Sequence, residues 1–133
     1  MRFFVDNCLA PKLTKALHAI CQPDHEFIHL KEKFSPDTKD IDWIRSLAKE
    51  GRWIVFSGDY SITKKPLEKQ AWADSGLTGF FLKKGWTNIP PNVQLSKLSL
   101  LLPEILSTAE NHPTGEGFII GFGCTNSKHF ERF

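Results

Sequence analysis

Short unbroken apolar runs, each too brief for a helix, recur along this chain and constrain its fold more than any other feature. Phe3-Phe4-Val5, Trp53-Ile54-Val55-Phe56 and Leu77 to Leu82 show no inside–outside alternation. Strands of that kind are covered on both faces, as in a parallel sheet wrapped by helices. Helical spacing fills the stretches between them. Pro11 suits the first turn of a helix, and Leu13, Ala16, Leu17 and Ile20 follow the i, i+3, i+4, i+7 rule. Asp40 stands before Ile41, Ile44, Leu47 and Ala48, with Gly51 as the stop, so Asp40 is expected to cap a second helix. Residues 64–75 read as a weaker helix closed by Gly76. Leu95, Leu98, Leu102, Ile105 and Leu106 mark a long amphipathic helix that Pro103 should kink or split.

Phe27 to Leu30 reads as a short second strand and Lys31 to Lys39 as a charged loop. Gly117 to Phe122 reads as the last strand, and the tail after it as irregular. The resulting βαβαβαβαβ rhythm predicts an α/β fold. It is a three-layer α/β/α sandwich over residues 1–133, a single domain with a mainly parallel five-stranded sheet in flavodoxin-like order, built by right-handed crossovers.

The charge balance narrows the function. With 17 basic and 15 acidic residues the formal net charge is +2, so a nucleic-acid site would have to be a local patch. The three cysteines form no CxxC pair and leave an odd one, which points to reduced thiols and a cytoplasmic location. No apolar stretch approaches the roughly 20 residues needed to span a membrane. Met1 to Asp6 is too short and too soon acidic for a signal peptide, and the chain is expected to start directly on its first strand.

Three aspartates then stand out. Asp6 ends the first apolar run, Asp59 follows the run Trp53–Phe56 by Ser57 and Gly58, and Asp40 opens the second helix. Ligands of open α/β sheets bind outside the carboxyl ends of the strands. Carboxylates converging there need a counter-ion, and a hard cation that takes oxygen ligands, Mg²⁺ or Mn²⁺, is the natural one. Glu68 and Asp42 are weaker candidates for the same cluster; a solvated helix surface and a helix-dipole role explain them equally well. Asn7 and Ser57 are placed to orient carboxylates, with turn chemistry as the alternative. Lys12, Lys64 and Lys65 lie in segments leading from the same edge, and with Lys15, Lys31, Lys33 and Lys69 would form a basic rim for a phosphodiester substrate. The five histidines show no zinc spacing, and His25 and His29 read as ordinary polar or half-buried residues.

The segments Phe3-Phe4-Val5-Asp6-Asn7-Cys8-Leu9-Ala10-Pro11-Lys12-Leu13, Asp40-Ile41-Asp42-Trp43-Ile44 and Ile54-Val55-Phe56-Ser57-Gly58-Asp59 resemble the PIN-like domain family, specifically its VapC-type toxin branch. Gly76 to Leu82, with Trp86 after it, resembles the same branch. The resemblance implies divalent-metal-dependent cleavage of RNA by three or four acidic residues. The first-strand aspartate matches Asp6, the acidic residue opening the second helix matches Asp40, and the Ser/Thr-x-Asp motif matches Ser57 and Asp59. The family's fourth acid has no single counterpart; Glu68 and Asp42 are the candidates. Implied partners are an RNA substrate and a cognate antitoxin protein, with a homodimer left open. Two other readings remain: a phospho-receiver signalling domain, which normally needs paired acids where this chain has Asp6-Asn7, and a non-catalytic PIN-like domain that binds RNA or a partner.

Overall fold

All five residues of Trp53–Ser57 (β3) are buried, as are Phe3, Phe4 and Val5 of Arg2–Val5 (β1). The computed structural model describes residues 1–133 and pairs these two strands in parallel, Arg2 beside Trp53 through Val5 beside Phe56. Glu26–His29 (β2) lies on the other side of β1, and Thr78–Leu82 (β4) and Gly117–Ile120 (β5) extend the sheet beyond β3, all parallel. Glu131–Arg132 (β6) adds an antiparallel edge, giving the order β2-β1-β3-β4-β5-β6. The flavodoxin-like order of the first five strands is as expected. The sixth strand is a correction: the tail is not irregular, because residues past a short 3₁₀ turn at Ser127–His129 fold back onto β5.

Pro11–Cys21 (α1) and Pro91–Asn111 (α5) cover one face of the sheet. There Phe3, Val5, Phe56, Phe80, Leu82, Phe118 and Ile120 meet Leu13, Leu17, Leu98 and Ile105. Leu30–Lys33 (α2), Asp40–Glu50 (α3) and Pro66–Ser75 (α4) cover the other, where Phe4, Val55 and Phe81 meet Leu30, Trp43, Leu47 and Trp72. Alternate residues of each strand supply alternate layers, which is why the apolar runs are unbroken. Each fully buried large side chain contributes about 1.5–3 kcal/mol. No helix is long and apolar enough to cross a membrane.

The connection from β4 to β5 departs from expectation. Steps β2→β3, β3→β4 and β4→β5 all move the same way across the sheet, yet α3 and α4 lie on one face and α5 on the other. The crossovers therefore cannot all be right-handed, as the usual rule would have it. Before α5 begins, a 3₁₀ turn at Trp86–Asn88 brings Thr87 beside Gly58 at the carboxyl edge.

Three local corrections have simple causes. Asp40 is the first residue of α3 rather than its cap; Lys39 holds the cap position without a side-chain hydrogen bond. The first part of the charged loop is helical, because the His29 ring accepts from Lys31 N–H while the Glu32 carboxylate accepts from His29 N–H, a reciprocal cap. Pro103 does not split α5, which runs unbroken. Pro103 and Ser99 are both exposed, so the carbonyl that loses its helical partner is not left dry.

Candidate acidic site at the carboxyl edge

The strand order reverses between β1 and β3, and the crevice beyond their carboxyl ends is where an open α/β sheet binds ligands. Asp6 leaves β1 into this crevice and is 2% exposed. Its Oδ1 accepts from Cys8 N–H at 3.1 Å and from Gly58 N–H at 3.2 Å, and its Oδ2 accepts from the Ser57 hydroxyl. Burial still outweighs these bonds and pushes the carboxyl up to about 6, with the Asp59 charge adding to the rise. Ser57 also accepts from Asp59 N–H at 2.9 Å, so one hydroxyl fixes both strand ends. The Asp59 carboxylate accepts from Ser61 N–H and from the Ser61 hydroxyl, which starts a 3₁₀ turn over Tyr60–Thr63.

Asp40 reaches the same place from α3. Its Oδ1 accepts from the indole N–H of buried Trp43 at 3.1 Å. Burial first, then the contact with the Asp59 carboxylate and its charge, push Asp40 up to about 7. The Cys8 thiol is pushed up to about 12, by desolvation first and then by Asp6, Asp59 and Asp40, although the residue has an exposed edge. One thiol thus senses all three carboxylates. No lysine or arginine pairs with any of them; the ion pairs of the chain lie elsewhere.

Gly58 explains how the loops pack so closely. A Cβ there would meet Cys8 Cβ at 3.0 Å, Thr87 Cγ2 at 3.1 Å and a Leu9 methyl at 3.4 Å. The exits of β1, β3 and β4 converge on this one residue.

The expected residues fall into three groups. Asp6, Asp40, Asp59 and Ser57 come together. Glu68 and Asp42 are not among the charges that shift Asp6 and Asp40. Asp42 stands two residues along the helix from Asp40, hence on another side, and is exposed; Glu68 is half-buried in the first turn of α4. Asn7 turns away and donates to the Pro36 carbonyl at 3.1 Å. Lys12, Lys64 and Lys65 are exposed and free of ion pairs, with the Lys64 ammonium 4.5 Å from the Tyr60 ring centre. Lys33 leaves the rim, pairing with Glu50 at 2.9 Å and lying over Trp53 at the start of β3. Sequence reasoning missed Ser61, Trp43 and His29. Ser61 was open to discovery, since Asp-x-Ser is a side-chain turn pattern. His29 is 1% exposed, not half-buried.

The donor set suits a hard divalent cation: three carboxylates and a hydroxyl, with no protein cation beside them. As they stand, no three His, Cys, Asp or Glu side chains surround one point closely enough to hold an ion. Asp40 would have to exchange its contact with Asp59 for the ion.

A three-layer α/β fold with an acidic crevice at the strand-order reversal defines the class. Within that class the chain belongs to the PIN-like domain family: the family described as "PIN like domain" matches residues 1–84 of 133. No curated protein and no solved structure matches the chain. Every residue of the acidic trio lies inside the match. The receiver reading gains nothing from the site, since Asn7, which would stand for its second acid, points elsewhere.

Proposed function

We propose that the chain is a divalent-metal-dependent endoribonuclease, the toxin of a toxin–antitoxin pair acting in the cytoplasm, with Asp6, Asp40 and Asp59 holding Mg²⁺ or Mn²⁺. One observation carries the reading: three carboxylates meet at the crevice with no protein cation to balance them. A divalent cation bound there would supply Lewis acidity and make water more acidic. The chain's own part is positioning. Ser57, Gly58 and Cys8 fix Asp6, Ser61 fixes Asp59, and Trp43 aims Asp40. Lys12, Lys64 and Lys65 would neutralise the RNA backbone beside an otherwise repulsive centre. No protein nucleophile is required, and Cys8 is held as a thiol in this field.

The test is cleavage of structured RNA by purified protein with Mn²⁺, stopped by EDTA and by Asp59→Asn. Co-purification with the product of a neighbouring gene would test the toxin role. A second reading, an RNA- or partner-binding domain that does not cut, is favoured by the lack of a ready-made ion cage at the trio. RNA binding that is independent of Mn²⁺, with no cleavage, would select it.

A further inference from the structure

His29 is the one buried histidine, and both of its ring nitrogens are engaged. Nδ1 accepts from Lys31 N–H at 3.1 Å, so Nδ1 carries no proton and the ring is the Nε2–H tautomer. Nε2–H then donates to the Leu9 carbonyl at 2.7 Å, across twenty residues of sequence. Leu9 closes the turn that leaves β1: its N–H donates to the Asp6 carbonyl at 3.3 Å, while Cys8 N–H holds the Asp6 carboxylate at 3.1 Å. Leu9 itself is 1% exposed, and its methyl packs against Gly58. The ring therefore joins the exit of β2 to the turn that aims Asp6.

We infer that His29 is a positioning residue for the acidic site, acting through the Leu9 carbonyl to hold the Asp6–Leu9 turn so that Asp6 faces the crevice. Its ring bonds go to Leu9 and Lys31 and to none of the three aspartates, so it is a positioning residue and not a catalytic one. The consequence for metal binding rests on reading Asp6 as a metal-holding carboxylate; the tether itself does not.

The two ring bonds can be separated by substitution. His29→Gln places an amide N–H where Nε2–H stands and keeps the bond to Leu9, but loses the acceptor for Lys31. His29→Asn keeps the acceptor near Nδ1 and loses the reach to Leu9. The metal-free proteins are compared by amide hydrogen exchange at Cys8 and Leu9, and all three proteins by Mn²⁺ calorimetry. With His29→Asn, exchange at Cys8 and Leu9 should quicken at least about tenfold and Mn²⁺ binding weaken about tenfold, the scale for partners that orient a ligand. His29→Gln should restore both toward the parent while Lys31 exchanges faster. Parent-like values in His29→Asn, or equal losses in the two variants, would overturn the assignment and leave His29 as core filler and helix cap. Should the parent protein bind no Mn²⁺, the nuclease reading falls, and the exchange comparison alone decides the tether.

Discussion

Residues 1–84 and 85–133 share one sheet but place their carboxylates differently. The first stretch holds Asp6, Asp40 and Asp59 at a strand-order reversal, without a cation, and burial raises Asp6 and Asp40. In the second, Glu116 lies 3.8 Å from Arg132, Glu131 lies 2.8 Å from Lys83 of the first stretch, and Glu104 accepts from the Ser127 hydroxyl, all away from the crevice. It contributes bulk instead, with Leu98, Leu101, Ile105, Phe118 and Ile120 filling the layer under α1. Its reach into the site is Thr87, packed where a Gly58 side chain would stand. The difference sets an acidic cluster in one length of chain and apolar cover in the other. The family match ends at Lys84, about where that change of duty occurs.

The sharpest way to break this division is to remove one acid. Asp59→Asn should lower RNA cleavage about 1,000-fold, the several kcal/mol expected of a metal-holding group, and leave the melting temperature near that of the parent. Cleavage surviving in Asp59→Asn while Glu104→Gln abolishes it would place the chemistry in the wrong stretch. Next in size is a core truncation in the covering stretch. Ile105 is 1% exposed, and Ile105→Ala should cost about 3 kcal/mol in chemical denaturation without altering Mn²⁺ affinity of the folded protein.

The pH dependence of the metal-free protein should follow the first stretch. Folding raises Asp6 to about 6 and Asp40 to about 7, so the folded chain binds more protons than the unfolded one. Their contribution to stability is full below the unfolded carboxyl value of about 3.9 and is lost as pH rises through both folded values. Thermal melts in EDTA should fall between about pH 4 and pH 7, and Asp6→Asn should flatten the fall and melt a few degrees higher at the upper end. A melt that climbs over that window would contradict the assignment. The smallest effect concerns the rim. Lys64→Ala with Lys65→Ala should reduce the log–log salt slope of RNA binding by about 0.7 for every phosphate no longer neutralised, with Mn²⁺ affinity unchanged.

Much of the layout was legible because β1, β3 and β4 are buried on both faces, and that requirement writes itself as unbroken apolar runs. Asp6 and Asp59 were legible because they follow such runs. Asp40 was found for a partly mistaken reason: it begins α3 without capping it, and its carboxylate leans on Trp43 and Asp59 instead. The side of the sheet taken by α5 could not be read, since its apolar stripe fits either face equally well. Nor could the role of His29, whose partner Leu9 is twenty residues away and offers only a backbone carbonyl. β6 is two residues long and exposed, too short for any period to show.

The position of α5 leaves one face of β5 without a helix, and the tail makes good the loss. Alternation along the tail sends Phe130 to one face, 6.1 Å from Phe80, and Phe133 to the other, 5.1 Å from Phe81. A Cβ on Gly117 would collide with the Phe133 ring, so that glycine is the seat on which the ring rests. The two phenylalanines grip the rim of the sheet like a clip, and β6 between them occupies a hydrogen-bonding edge that would otherwise be open to another chain. Shortening the chain before Phe130 should leave the aspartates untouched while freeing the β5 edge for another chain, which size-exclusion chromatography would read as self-association.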